Sequence, residues 1–314
     1  MIKLFSSIIN FILSKLNILI IFRYGKSIGD QLCISSLTRS IKKKNKLLKI
    51  VLIVNYTELF ENNSDIYALF KFRRNKISFF IFRLLSKLKG NFIKEFRSQF
   101  KEFKDFTYLS KLNGQHIIKA MSCEFENIIS INEIEIKNKF NLNQFEIKKM
   151  KLKFTLPKMF ALVQSQGKSH YSNLKQWDLN KIQKIINAFP EIEWIQIGLN
   201  NEFKFENVID FRSRTSLREL GYLFSKADFL LSHEGFYSHF SSCFKLKTFV
   251  IHPGISMISN LSYPNTIHIQ KINNLDCYPC YLKNNCIKQK QWCMENISSD
   301  EVIDIIKKNI IFNF

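Results

Sequence analysis

Two loops in this sequence pair a carboxylate with glycine where a ligand could be met. The first is Ile28-Gly29-Asp30, just after an apolar run. The second is Ser232-His233-Glu234-Gly235-Phe236-Tyr237-Ser238-His239, with a histidine five residues beyond its acid. A placed carboxylate can take a proton from a reacting hydroxyl. Read alone, Asp30 is better taken as a helix N-cap. Between the two loops lie a polar turn, Ser165-Gln166-Gly167-Lys168-Ser169, and then Lys175-Gln176-Trp177. Lys175 by itself reads as ordinary solvated surface.

Four thiols crowd the C-terminal part: Cys277, Cys280, Cys286 and Cys293, spaced x2, x5 and x6. Thiolates at such short spacing could close around a structural zinc or iron ion. The spacing lacks the two Cys-x2-Cys halves of a zinc knuckle, so reduced thiols or a local staple fit it too. Two other motifs fail. Gly25-Lys26-Ser27 would need glycine at position 20 to make a phosphate loop, and Ile20 stands there. His233-Glu234 would need a second histidine at position 237 to make a zinc helix, and Tyr237 stands there.

The elements around these residues alternate strand and helix. Residues 17–23 (NILIIFR) form a continuous apolar run, followed by a loop and a helix over residues 30–43 with Ile34, Leu37 and Ile41 on one face. Residues 49–55 (KIVLIVN) are the next buried strand. Residues 57–145 read as mostly helical and basic, with no clear order. Farther on, residues 160–164, 194–197, 229–231 and 248–251 read as strands. Asp178, Ser216 (with Glu219 in a capping box) and Ser298 start helices. The pattern is that of two successive α/β domains, residues 1–145 and 146–314, with ligands expected in a cleft at strand ends.

The net charge of +21 is uneven. Residues 1–150 hold 27 Lys and Arg against 12 Asp and Glu, a net +15, and the remainder 20 against 14, a net +6. This points the N-terminal half at something anionic: a phosphorylated glycolipid, a membrane surface or nucleic acid. No apolar run reaches the roughly 18 residues of a membrane span. Lys3 and the apolar run after it imitate the start of a signal peptide, but no small-x-small cleavage site follows. Leu4, Phe5, Ile8, Phe11, Ile12 and Leu16 instead fall near helical spacing, as in a helix on the inner membrane face or one packed on its own domain. An odd count of seven cysteines argues against a secreted disulfide framework.

Taken in order, the motifs resemble glycosyltransferase family nine, the ADP-heptose:lipopolysaccharide heptosyltransferases. The resemblance is carried by Ile28-Gly29-Asp30, Lys175-Gln176-Trp177, Thr215-Ser216-Leu217-Arg218-Glu219-Leu220, Glu234-Gly235 with His239, His252-Pro253-Gly254 and Cys293-Met294. It covers about residues 17–306. The chain departs from the family at Ser36, where proline is usual, and at Glu234-Gly235-Phe236, where Asp precedes Ser/Thr-Gly.

The resemblance implies a GT-B architecture of two Rossmann-like domains and an inverting transfer of a sugar, a heptose by the family's pattern, from an ADP-heptose-like nucleotide donor. It implies Asp30 as the base and Lys175 as the ligand of the donor diphosphate, aided by the amides after Glu234-Gly235. Glu234 would hold donor-sugar hydroxyls, His239 would lie near the phosphates, and Ser165 and Gly167 would line the nucleotide pocket. Catalysis would need no metal. The acceptor would be a hydroxyl of a lipopolysaccharide core or other surface glycan, at the cytoplasmic face of an anionic inner membrane, with no nucleic acid involved. A metal-stapled RNA-binding protein is the alternative from another class, and a protein-directed heptosyltransferase the alternative within the family. No RNA-binding signature is present.

Overall fold

The computed structural model describes residues 2–97, 114–167, 172–282 and 284–310. Lys168 and Ser169 of the polar turn lie outside them. The chain divides into two compact units, residues 2–97 with 115–143, and residues 144–310 together with Gly114.

In the first unit the elements run α1 (Ile2–Lys15), β1 (Ile18–Arg23), α2 (Ile28–Lys44), β2 (Lys49–Val54), β3 (Ala68–Lys71), α3 (Lys76–Lys87), β4 (Ile93–Glu95) and α4 (Ile117–Met121). The sheet is parallel, in the order β3-β2-β1-β4. Its direction of winding reverses at β1, which lies between β2 and β4, so the loop leaving β1 emerges at a switch point. Residues 57–145 were expected to be mostly helical. Instead they hold two strands of the sheet, and α3 is their one long helix among the described residues. β3 and β4 are only four and three residues long, too short for a periodic apolar signal.

Helix α2 begins at Ile28, and its N-cap is Ser27, whose Oγ accepts from the Asp30 amide. The cap reading of Asp30 is therefore corrected: Asp30 sits in the first turn, its side chain left for other work. Nor is burial confined to Ile34, Leu37 and Ile41. Ser35, Ser36, Thr38 and Ser40 are buried as well, because residues 135–139 cross the helix and dock on those hydroxyls. Ser36 Oγ donates to Asn138 Oδ1 (2.9 Å), Ser35 Oγ accepts from the Lys139 amide (2.9 Å), and Ser40 Oγ accepts from the Glu135 amide (3.0 Å). Buried hydroxyls are tolerated only when so satisfied.

The second unit runs α5 (Gln144–Lys153), β5 (Phe160–Gln164), α6 (Leu179–Asn187), β6 (Glu193–Ile197), β7 (Val208–Asp210), α7 (Leu217–Lys226), β8 (Phe229–His233), α8 (Phe236–Ser241), β9 (Lys247–Ile251), β10 (Thr266–Ile269), α9 (Trp292–Glu295) and α10 (Ser299–Asn309). Its parallel sheet has the order β10-β9-β8-β5-β6-β7. Winding proceeds outward from β5 through β6 and β7, then returns to β8 on the other side of β5. The switch point is thus between β5 and β8. The caps Asp178, Ser216 and Ser298 stand where expected, and Ser216 and Glu219 close their capping box. The core on one side of this sheet joins Ile182, Ile185 and Ile186 of α6, and Phe189 just beyond it, to Val302 and Ile306 of α10 and to Trp194 of β6.

Candidate functional site

In the first unit the loop after β1 is clamped by two amide side chains. Gln31 Nε2 donates to the Gly25 carbonyl (2.9 Å), and Gln31 Oε1 accepts from the amides of Asn55 (2.9 Å) and Tyr56 (3.1 Å). Asn55 Oδ1 in turn accepts from the Gly25 amide (2.8 Å). Gly25 has φ +157, a conformation open to glycine, and the space its absent Cβ would occupy is empty. On this fixed loop, Asp30 Oδ2 accepts from Arg23 Nη2 at 3.0 Å, and the Asp30 side chain is about one-third exposed. The guanidinium fixes the carboxylate in direction while leaving it open to solvent.

The second unit gathers its polar residues at the C-terminal ends of β5, β8, β9 and β10. Lys175 ends a short 3-10 turn capped by Ser172, and its ammonium forms an ion pair with Glu234 Oε2. Both side chains are buried, Lys175 at 8% and Glu234 at 4% exposure. The Trp177 amide donates to His233 Nε2 (3.2 Å), pinning the lysine segment to the end of β8. Gly167 lies against Lys175, where a Cβ would come within 3.2 Å of the lysine Cβ, and its carbonyl accepts from Gln176 Nε2 (3.2 Å). Ser165 Oγ donates to Glu202 Oε2 (3.2 Å). Gly235, at φ +156, turns the chain from β8 into α8 with open space beside its Cα. On α8, His239 Nδ1 is 2.7 Å from Tyr263 Oη.

Burial alone would raise the Glu234 carboxyl. The Lys175 ammonium, with His239 and His252, outweighs that and holds it down to about 2. Glu234 is therefore an anion at neutral pH. Burial lowers His233 to about 4, and its neutral ring accepts from Trp177 while the buried Nδ1 finds no hydrogen-bond partner. His252 Nδ1 is 2.9 Å from His268 Nδ1, and its Nε2 is 3.1 Å from Ser256 Oγ. Burial lowers His252 to about 4, and burial with the neighbouring His252 lowers His268 to about 3. One cation, one anion and neutral imidazoles thus line strand ends at the switch point, an arrangement suited to an anionic ligand carrying hydroxyl groups.

The structure brings Lys175, Glu234, Gly235, His239, Ser165 and Gly167 to one sheet edge in the second unit. Asp30 belongs to the first unit. Missed by sequence reasoning were His268, Tyr263 and the amide clamp of Gln31 and Asn55. Only His252-Pro253-Gly254, directly after a strand, carried a signal for the imidazole pair.

The four C-terminal cysteines line one apolar cavity with Leu174, Gly254 and Ile255. Their loop folds back on the turn after β9: Cys280 N donates to the Gly254 carbonyl (3.2 Å) and Tyr281 N to the Ile255 carbonyl (3.0 Å). Gly254 leaves room for Cys293, whose Cβ would lie 3.0 Å from an added Cβ. Burial first, then the neighbouring cysteines, raise the thiols of Cys280 and Cys293. All seven cysteines are free of disulfides, and among the described residues no three ligand side chains already stand as a metal-coordinating group.

No family model matches the sequence, and no curated protein matches it by sequence. Solved structures do match in fold. A glycosyltransferase of family 9 from Veillonella parvula DSM 2008 aligns with TM-score 0.70 at 10% identity, over 93% of this chain and 96% of that one. ADP-heptose lps heptosyltransferase II of E. coli aligns with TM-score 0.65 at 9% identity, over 92% of this chain and 98% of that one. The iron-containing dodecameric glycosyltransferase TibC of enterotoxigenic E. coli H10407 aligns with TM-score 0.66 at 14% identity, over 93% of this chain and 75% of that one. The chain is similar in structure to family-nine glycosyltransferases, and its two parallel α/β units are those of the GT-B fold.

Proposed function

We propose that this protein is an inverting glycosyltransferase that moves a heptose from ADP-heptose to a hydroxyl of a lipopolysaccharide core or other surface glycan. The observation that carries the reading is the buried Lys175–Glu234 pair at the switch point of the second sheet. Burying two charges is costly, and replacing such a pair by apolar residues is often neutral or stabilising. A charged pair held at the strand ends where ligands bind is best explained by a ligand. The fold shared with a protein named as an ADP-heptose lps heptosyltransferase supports that ligand class.

In the reaction the acceptor oxygen forms a bond to the anomeric carbon as the bond from that carbon to the diphosphate oxygen breaks. The electron pair leaves with ADP, and Asp30 takes the hydroxyl proton. Lys175 stabilises the charge gathering on the diphosphate, and Glu234 accepts hydrogen bonds from sugar hydroxyls. His239 lies near the phosphates, and Ser165 and Gly167 border the nucleotide. A carboxylate in the site also suits a transition state with positive charge on the sugar. No step requires a metal.

Cys277, Cys280, Cys286 and Cys293 would hold a structural zinc or iron ion. The donor set fits: four thiols share a cavity in which burial raises Cys280 and Cys293, and a cation reverses that balance. Its position against the turn after His252 would brace the donor site. One equivalent of metal in chelator-free protein is the expected elemental analysis, and its absence from freshly reduced protein would remove the ion.

The enzyme would work in the cytoplasm, on a glycolipid at the anionic inner membrane face. No helix among the described residues is long and apolar enough to cross a membrane. A thermal-shift screen of nucleotide sugars tests the donor. ADP-heptose and ADP should raise the unfolding temperature by mass action. Stabilisation by no adenine nucleotide at millimolar concentration would overturn the reading.

A further inference from the structure

α1 and α3 pack on the same apolar cluster of the first unit. Ile9 and Leu13 of α1, and Leu85 and Phe82 of α3, converge on Phe22 and Ile93 of the sheet. Asn10 ties α1 to the end of α3: its Nδ2 donates to the Leu88 carbonyl (3.2 Å) and its Oδ1 accepts from the Phe92 amide (2.7 Å). Each helix then turns a second apolar stripe to solvent. On α1 it is Leu4, Phe5, Ile8, Phe11 and Ile12, with Leu4 at 68% and Phe11 at 62% exposure. On α3 it is Ile77, Phe80, Ile81 and Leu84, at i, i+3, i+4 and i+7, with Ile77 at 70% and Phe80 at 67% exposure. More than half of the exposed large apolar side chains among the described residues belong to these helices and to Leu16 beside them. Exposed apolar side chains concentrated on two helices of one unit mark an interaction surface more often than chance exposure does.

The charge around the stripes selects the occupant. Neither helix contains an Asp or Glu. Lys3 and Lys15 are exposed on α1, and Arg73, Arg74, Lys76, Arg83 and Lys87 are exposed on or just before α3. A second copy docking by the same face would set these cations against their own images. An anionic bilayer offers both a headgroup layer for the cations and an apolar depth for the side chains.

We infer that α1 and α3 form one two-helix surface that inserts into the anionic membrane interface, with Ile77 and Phe80 of α3 contributing as much as Leu4 and Ile8 of α1. The inference rests on the proposed glycolipid acceptor for its purpose, not for its geometry. Two separate anchors on one unit would fix its orientation at the bilayer, where one helix would leave it free to roll.

The test is flotation of the full chain with phosphatidylcholine vesicles containing a quarter phosphatidylglycerol, beside pure phosphatidylcholine. Wild type should bind the anionic vesicles and release as salt rises. Ile77→Glu/Phe80→Glu and Leu4→Glu/Ile8→Glu should each lower binding about tenfold or more. Both doubles change exposed residues, so each should keep the wild-type unfolding temperature and its ADP-heptose shift. Wild-type binding by the α3 double would overturn the two-helix surface. So would failure of wild type to bind, or a dimer broken by Phe80→Glu in the absence of vesicle binding. Loss of the ADP-heptose shift with vesicle binding intact would count against the donor reading alone.

Discussion

The loops after β1 and β8 use the same backbone device for opposite ends. Each follows a central strand at a switch point, and each turns through a glycine near φ +156, at Gly25 and Gly235. Each brings a carboxylate beside a cation. Asp30 is part-exposed with Arg23, whereas Glu234 is buried with Lys175 among neutral histidines. As the proposed base, Asp30 would have to meet an incoming hydroxyl and release its proton, which its partial exposure allows. As part of the proposed donor pocket, the Lys175–Glu234 pair would hold its charges in a fixed arrangement before the ligand arrives, which its burial favours. The same turn serves both because it sets only the direction of the chain, and the surroundings set the chemistry.

The largest expected effect comes from removing the open carboxylate. Asp30→Asn should lower transfer by about 10²–10⁴-fold at saturating substrates, the range for a lost general base. Steady-state rates at saturating donor and acceptor measure it, and wild-type turnover in this variant would reduce Asp30 to a partner of Arg23.

Next is the buried pair. Lys175→Ala strands the Glu234 anion, so the fold should lose about 3–5 kcal/mol. Lys175→Ala/Glu234→Gln should recover most of that stability in denaturant titrations. Recovery of neither stability nor cooperativity would mean that Glu234 is held by more than its ion pair with Lys175.

Acid should separate the two units more gently. His233, His252 and His268 titrate at about 4, 4 and 3 in the fold, below the roughly 6.5 of an unfolded chain. Their contribution is complete above pH 6.5 and falls as pH drops toward 4, because the unfolded chain binds protons the native one refuses. Each histidine contributes a slope of up to about 1.4 kcal/mol per pH unit. Glu234, held to about 2, adds a further loss below its unfolded value of about 4.3. All three tryptophans, Trp177, Trp194 and Trp292, lie in the second unit. Their emission should therefore report unfolding at progressively lower denaturant from pH 6.5 to 4, and a flat midpoint over that range would contradict the neutral histidine cluster.

The smallest effect probes the shared turn. Gly25→Ala and Gly235→Ala meet no neighbouring atoms, so the cost should be backbone strain alone, about 1–3 kcal/mol in each loop. Calorimetry should find the two costs alike, and a large difference would mean the turns are not equivalent.

Much of this frame was legible beforehand, for definite reasons. β1, β5, β8 and β9 are continuous apolar runs because both faces of their sheets are covered. β3, β7 and β10 are three or four residues with half-exposed positions, which leave no such run. In the site, Lys175 and Glu234 were found through the order of motifs. His268 was not, because a single histidine inside a short strand looks like any core residue. The clamp of Gln31 and Asn55 on Gly25 is invisible for the same reason: amides 24 residues apart declare nothing until the chain brings them together. The outward stripe of α3 was hidden within a segment whose lysines and aromatics showed no order.

The central claim is that the second unit binds the sugar nucleotide while Asp30 serves only the transfer. Calorimetric titration of ADP-heptose into wild type, Asp30→Asn and Lys175→Ala/Glu234→Gln tests it most directly. The account predicts wild-type affinity for Asp30→Asn and at least a tenfold loss for the double variant. Undiminished affinity in the double variant, or a matching loss in Asp30→Asn, would contradict it.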